Sequence, residues 1–287
     1  MAKQLMDIET GEIIEVTSYR TDKQDKAYRE QLKRETLRNK SDAPFLFTQM
    51  DAIEGGLAKL NNKDLGYFLV MQTYIDYKNM LKVSADSKMP MTTVELQEVL
   101  KIKSDKTLRA MLKRFKDLGI VYQEKVELYG KSHKAYFIST EYCFRKGSGG
   151  ANSNQKTDTV VKVFMGTLQE VYAQEEIQPA DIGFMYKTIP YMHYDSNMLA
   201  VNPSEREYSQ VKHLTIKDLA DAVGMSREKT AIKLASIVWD NKYVFARIKT
   251  GASKEYQIKV NPFVFYRKAG NPEALGYEFY VTPENVL

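Results

Sequence analysis

Between Lys101 and Gly119 the chain gathers Lys101, Lys103, Lys106, Arg109, Lys113, Arg114 and Lys116 against only Asp105 and Asp117. Ammonium and guanidinium groups at that density suit a polyanion. Each can replace a counterion on a phosphate, and an arginine can also bond the edge of a guanine bidentately. A second segment repeats the pattern more thinly, with Arg227, Lys229, Lys233 and Lys242 against Glu228 and Asp240. One basic stretch is most often a solvated face. Two at matching places of a repeated unit point to a shared surface.

The repeat is legible along most of the chain. DLGYFLVMQTYIDY (64–77) aligns without a gap with DIGFMYKTIPYMHY (181–194) at an offset of 117. Leu96 through Val121 lies over Leu219 through Val244 at an offset of 123, and KAYFI (134–138) lies over KEYQI (254–258) at 120. The offset drifts where loops are expected, because loops absorb insertions. Two tandem copies of one small domain is the reading.

The elements that must carry the basic residues follow from periodicity. In copy two, Thr215 caps a helix with Ile216, Leu219, Ala220 and Val223 on one face, and Gly224 ends it in the left-handed conformation. Ser226 then caps a second helix with Ala231, Leu234, Ala235 and Val238 inward. Two short helices across a Gly-containing turn make a helix-turn-helix pattern. An alternating run, Tyr243–Ile248, a Gly251–Lys254 loop and Tyr256–Val260 make a β-hairpin behind it. Copy one repeats this with Thr92 or Thr93, then Leu96, Val99 and Leu100, then Ser104 as cap and Leu108, Met111, Leu112 and Phe115 inward. The helix stops at Gly119, and strands Ile120–Leu128 and Ala135–Thr140 flank a Tyr129–Lys134 loop. Lys101 stands where copy two has its turn glycine. The expected fold is mainly α with small β-hairpins, an α+β chain of two tandem winged helix-turn-helix domains. Residues 1–42 form an N-terminal hairpin through Thr10-Gly11 and a charged arm. Residues 43–146 are the first domain, 147–157 (GSGGANSNQKT) a flexible linker, and 158–287 the second domain.

In such a unit the second helix offers its N-terminal residues to the major groove and the hairpin reaches the neighbouring backbone or minor groove. The candidate DNA contacts are therefore Lys103, Ser104, Lys106, Thr107, Arg109 and Lys113 in copy one. In copy two they are Ser226, Arg227, Lys229, Thr230 and Lys233. The hairpins add Lys131, His133 and Lys134, then Lys249, Ser253 and Lys254. The bland alternative for Ser104 and Ser226 is helix capping alone, and for the hairpin lysines an ordinary solvated surface. A protein–protein adaptor is the competing class, motivated by exposed-looking Ile232, Ile237 and Trp239, the last aligned with Lys116. Partners are thus double-stranded DNA, with self-association or another protein through the second domain.

Catalysis finds little support. His133, His193 and His213 lack metal-ligand spacing with Cys143, and Gly130-Lys131-Ser132 lacks the upstream glycine of a phosphate loop. No cofactor or metal is expected. Tyr67, Phe68, Tyr74, Tyr77, Phe184, Tyr191 and Tyr194 recur at helical spacing and read as core. A lone cysteine, a net charge of +5 and the lack of any long apolar run fit a cytoplasmic protein away from membranes.

The opening D-x-E-T-G-E-I-I (7–14), the helix-turn-helix and the closing N-P-x-V-F-Y (261–266) resemble RepL-type plasmid replication proteins of Gram-positive bacteria and related phage proteins. The resemblance covers about one winged helix and its flanks. Those relatives usually carry one such domain, so the tandem copy departs from their pattern. What it implies is a phage- or plasmid-encoded DNA-binding protein. A transcriptional regulator is the first expectation, and a replication initiator binding origin repeats is the alternative.

Overall fold

The computed structural model describes residues 3–6, 13–16, 43–84, 86–145, 159–249 and 256–281. They belong to two units, Met1–Asp42 and Ala43–Leu287. In the first, strands β1 (Lys3–Met6) and β2 (Ile13–Val16) pair antiparallel, Lys3 opposite Val16 and Met6 opposite Ile13. The Thr10-Gly11 turn, the charged arm and the 147–157 linker lie outside the described residues.

The second unit contains both copies, and its architecture is α+β. Copy one runs β3 (Phe45–Gln49), α1 (Met50–Glu54), α2 (Asn62–Gln72), α3 (Thr93–Val99), α4 (Asp105–Asp117), β4 (Val121–Leu128), β5 (Lys131–Ile138) and β6 (Cys143–Phe144). Copy two repeats the order as β7 (Val160–Phe164), α5 (Met165–Ala173), α6 (Pro179–Thr188), α7 (Ile216–Val223) and α8 (Arg227–Ser236). A small extra hairpin, β8 (Val238–Trp239) and β9 (Lys242–Tyr243), precedes its main hairpin, β10 (Phe245–Lys249) and β11 (Tyr256–Val260), and the chain closes on β12 (Phe265–Tyr266).

The copies are joined reciprocally. One four-stranded sheet has the order β12-β7-β3-β6, so each copy supplies one central and one edge strand. β3 and β7 pair antiparallel around Phe47 and Lys162, with Phe45 opposite Phe164 and Gln49 opposite Val160. Beyond the strands, the Met50 amide donates to Thr159 O (2.8 Å) and the Met165 amide donates to Pro44 O (3.0 Å), the same bond seen from each side. This is the contact pattern of an isologous dimer written into one chain. Residues 43–146 and 158–287 therefore share a sheet and a core.

Helices α2 and α6 repeat the relation. A Cβ built on Gly66 would overlap the carbonyl of Pro179, and one on Gly183 would overlap the carbonyl of Asn62. The two backbones touch where a side chain should be. Around this crossing every residue of α2 from Asp64 to Gln72 is buried, as expected of a helix enclosed on all sides. Its polar groups are paired: the Thr48 hydroxyl donates to Gln72 Oε1 (2.6 Å), and Gln72 Nε2 donates to the Tyr186 hydroxyl (2.7 Å). Strand, α2 and α6 are thus threaded by one buried hydrogen-bonded line. Cys143 lies in the same sheet, fully buried, and burial pushes its thiol well above the usual range.

One asparagine closes each copy. Asn79 and Asn197 both have positive φ (60° and 59°) and are buried. Asn79 Nδ2 donates to Ile138 O (3.1 Å) and Cys143 O (2.7 Å), while Asn197 Nδ2 donates to Val260 O (3.0 Å) and Phe265 O (2.8 Å). Each ties the end of its hairpin to the strand that enters the shared sheet.

Gly183→Ala should cost about 3 kcal/mol by urea unfolding, because an overpacked backbone contact cannot relax by a rotamer change. Gly166→Ala, where a Cβ meets nothing within 4 Å, should be neutral or mildly stabilising. Equal midpoints for the two variants would contradict the described crossing.

Candidate nucleic-acid interface

The helix pair α3 and α4 is set by local chemistry. The Thr92 hydroxyl and the Glu95 carboxylate form a reciprocal capping box at the start of α3, and Leu96 and Leu100 point inward. Lys101 then takes the left-handed conformation (φ 51°) that Gly224 (φ 69°) takes in copy two. The bonds that close the two turns match, from the Ile102 amide to Gln97 O (3.0 Å) and from the Met225 amide to Ala220 O (2.9 Å). Thr215 and Asp218 repeat the capping box on α7.

The turns differ by one residue. Lys103 separates Ile102 from Ser104 at the head of α4, whereas Ser226 follows Met225 directly at the head of α8. The offset therefore drops from 123 to 122 at the turn, correcting the single offset expected from sequence. Buried Leu108, Leu112 and Phe115 now coincide with buried Thr230, Leu234 and Ile237. Arg109 lies over Ala231 and Arg227 over Asp105.

On α4 the apolar face is Leu108, Met111, Leu112 and Phe115. Opposite it, Lys106, Arg109, Lys113 and Lys116 follow one another at helical spacing, all exposed. Among the described residues Arg109 is held only by Asp105 (2.8 Å), with side chains 77% and 51% exposed. Lys103, Ser104 and Thr107 are exposed at the helix start, and Ser104 occupies the cap position without a side-chain cap bond. In this respect the capping expected of Ser104 is corrected. The Ser226 hydroxyl does accept from the Lys229 amide (3.3 Å).

The rest of the basic segment is engaged in the fold. Arg114 forks onto buried Asp64 of α2, Nε to Oδ2 and Nη2 to Oδ1, both 2.9 Å. Lys101 Nζ donates to the Tyr172 (2.7 Å) and Ala173 (3.1 Å) carbonyls at the end of α5 in the other copy. In copy two, Lys233 pairs with buried Asp181 of α6, the repeat partner of Asp64. Each second helix is thus anchored by a carboxylate from the crossing helices.

Copy two offers less open surface. Arg227 and Lys229 are exposed, as is Lys249. Thr230, expected at the interface, is fully buried against the helix pair and unable to reach a solvent-borne ligand. Lys233 is committed to Asp181. Ser253 and Lys254 lie outside the described residues. Of the three apolar residues that motivated the adaptor reading, Ile237 and Trp239 are buried, and Trp239 Nε1 donates to Glu170 Oε2 of α5 (3.1 Å). Ile232 remains 63% exposed. Helix α8 ends at Ser236, so Val238, expected on its inner face, belongs to β8.

The hairpin of copy one is longer than expected. Strands β4 and β5 pair without interruption from Val121–Ile138 to Leu128–Lys131, and only Tyr129-Gly130 turns. Lys131, His133 and Lys134 therefore sit on a strand, not in a loop, with both lysines exposed and His133 half-buried. Val126, opposite His133 toward the tip, packs against Met80, Ala135 and Phe137. A cleft of about 570 Å³ runs between this hairpin and the start of α3, lined by Met89, Thr92, Gln123, Ser132, Lys134 and Tyr136 among others. Lys125, which the sequence reading passed over, lies directly opposite Lys134. The expected aromatic core holds for Tyr67, Phe68 and Phe184, but Tyr77 lies beyond the end of α2 and is 57% exposed.

Among the described residues no helix is long and apolar enough to cross a membrane. No family model, curated protein or solved structure matches the chain.

Asp64→Asn should lower stability by about 1–2 kcal/mol, since it halves a fork whose arginine stays half in water. Lys106→Gln, on the solvent face of α4, should stay within about 0.5 kcal/mol. Chemical denaturation of both variants checks the split between anchoring and free cations.

Proposed function

We propose that the chain is a sequence-specific double-stranded DNA-binding protein in which each copy is a winged helix-turn-helix head. The observation that carries this reading is the row Lys106, Arg109, Lys113 and Lys116 on the solvent face of α4. The helix is short enough for a groove and is held rigidly from behind by Asp64. Backing anchors and outward cations are what a groove-reading helix requires: one set fixes its pose, the other meets phosphates and base edges. Arg227 and Lys229 at the start of α8 give copy two a weaker version of the same surface.

The reciprocal joining of the copies supports a two-headed mode. Heads related as in an isologous dimer meet inverted half-sites, as dimeric helix-turn-helix proteins do. The heads differ, with Arg109 over Ala231 and Arg227 over Asp105, so the inverted repeat is imperfect. A phage- or plasmid-encoded transcriptional regulator is the preferred role. A replication initiator binding origin repeats remains the second reading, resting on the resemblance to RepL-type proteins. Genome-wide mapping of bound sites separates them, since a regulator occupies sites upstream of several genes and an initiator one iterated site.

Affinity for duplex should fall steeply with salt as condensed counterions are released. Arg109→Ala and Arg227→Ala should each relax base preference in a different half-site, by about 1–3 kcal/mol where the arginine forks onto a guanine. Selection from random duplexes reads this directly. Binding that ignores salt, or two variants that relax the same half, would refute the reading.

A further inference from the structure

A cleft of about 370 Å³ opens where the turn into α4 meets the start of α6. Its walls include Lys63 and Tyr67 of α2, Lys101 and Lys103 of the turn, and Ile177 and Pro179 of the other copy. The polar part of this lining belongs to copy one alone. At the offset of 117, Lys63 and Tyr67 lie over Ala180 and Phe184. Lys101 lies over Gly224, and Lys103 has no counterpart. Copy two therefore builds the same helix pair without these three ammonium groups and without the hydroxyl. At the matching place in copy two, Asn62, the repeat partner of Pro179, donates from Nδ2 to Met225 Sδ (3.9 Å). The shared fold does not require what lines the cleft.

Three observations point to a ligand there. Tyr67 is 5% exposed, yet among the described residues its hydroxyl has no hydrogen-bond partner. A phenol so enclosed ordinarily finds one. Ser104 makes no side-chain cap bond, so the first amides of the 13-residue α4 keep their donors and the positive end of the helix dipole. Asp105 in that first turn is drawn onto Arg109. Lys63 and Lys103 are exposed, and among the described residues neither reaches a carboxylate within salt-bridge distance. Lys101 adds a third positive charge, although its Nζ is held by the Tyr172 and Ala173 carbonyls.

Open helix amides, ammonium groups and a phenol together make a donor set for a phosphate. The rest of the lining selects what the phosphate is attached to. Ile102, Ile177 and Pro179 offer an apolar wall, and exposed Glu175 offers an acceptor for a hydroxyl or an amine. That carboxylate also sets the cleft against a continuous polyanion. The volume lies in the range of small-molecule sites. We propose that this cleft binds a nucleoside monophosphate. Its phosphate meets the start of α4, Lys63 and Lys103, its base lies on the apolar wall, and its ribose hydroxyls face Glu175. The Tyr67 hydroxyl supplies the enclosed donor. Because the cleft takes its walls from both copies, it exists only in the joined chain, and its occupancy needs no DNA.

The test is isothermal titration calorimetry of the full chain, free of DNA, with adenosine, guanosine, cytidine and uridine monophosphates. At least one should bind, at a single site per chain. Tyr67→Phe installs the residue type of copy two and removes only the hydroxyl. It should keep the ligand-free thermal midpoint and bind the nucleotide roughly tenfold more weakly, as should Lys103→Gln. Lys229→Gln, in copy two, should change nothing. The bare nucleoside and inorganic phosphate should each bind more weakly than the nucleotide. Duplex DNA titrated into Tyr67→Phe should bind as it does to the wild type. No monophosphate bound by the wild type, two sites per chain, inorganic phosphate as tight as the nucleotide, or no loss in Tyr67→Phe would each overturn the proposal. A loss of duplex binding in Tyr67→Phe equal to its loss of nucleotide binding would assign the cleft to backbone phosphates and overturn it too. If the wild type takes the nucleotide but no duplex, the cleft stands and the DNA-binding reading fails.

Discussion

Everything in the larger unit depends on the contact of two bare backbones, where Gly66 meets the start of α6 and Gly183 meets the start of α2. No other residue type fits there. Because the helices touch at backbone distance, the strands that precede them are close enough to join one sheet, and β3 and β7 do so in a register centred on Phe47 and Lys162. The buried line from Thr48 through Gln72 to Tyr186 would leave polar atoms unpaired if the helices stood further apart. A duplicated domain has thus become a single body with an internal two-fold relation.

That body divides its cations into two kinds. Arg114, Lys101 and Lys233 turn inward, onto Asp64, the end of α5 and Asp181. Lys187 does the same, donating to Val223 O (3.0 Å), and burial lowers its pKa. These residues fix where the helices lie. Lys106, Lys113, Lys131 and Lys134 turn outward, as do Arg109, which pairs with Asp105, and Lys116, which donates to Gln123. The anchoring carboxylates come from the helices at the crossing, so the pose of each second helix is referred to the same centre. Two surfaces held against one centre keep a fixed mutual orientation, which is what recognition of spaced half-sites needs.

Sequence reading captured what is local. The repeat, the cap at Thr215 and the left-handed turn at Gly224 follow from short-range pattern, and so does a hairpin behind each helix pair, though not its exact strand bounds. It also paired Gly66 with Gly183 and Asp64 with Asp181 as repeat partners. What it could not supply was contact: nothing in a one-dimensional alignment says that the two glycines face each other's helix or that the aspartates grip Arg114 and Lys233. The one-residue slip at Lys103 escaped because Ser226-Arg227 and Ser104-Asp105 can be aligned two ways until burial chooses. Thr230 illustrates the consequence. A threonine three residues after Arg227 in a basic segment reads as a polar contact, yet its register with Leu108 places it in the core. Trp239 was misjudged likewise, because the change from helix to strand after Ser236 turns it inward onto Glu170.

The account stands or falls on whether one chain acts as a dimer would. Native mass spectrometry of the protein on a duplex selected by it, paired with hydroxyl-radical footprinting, measures this most directly. One chain per duplex, with both halves of an imperfect inverted repeat protected about one helical turn apart, is the predicted result. Two chains per duplex, or protection confined to a single half-site, would contradict it.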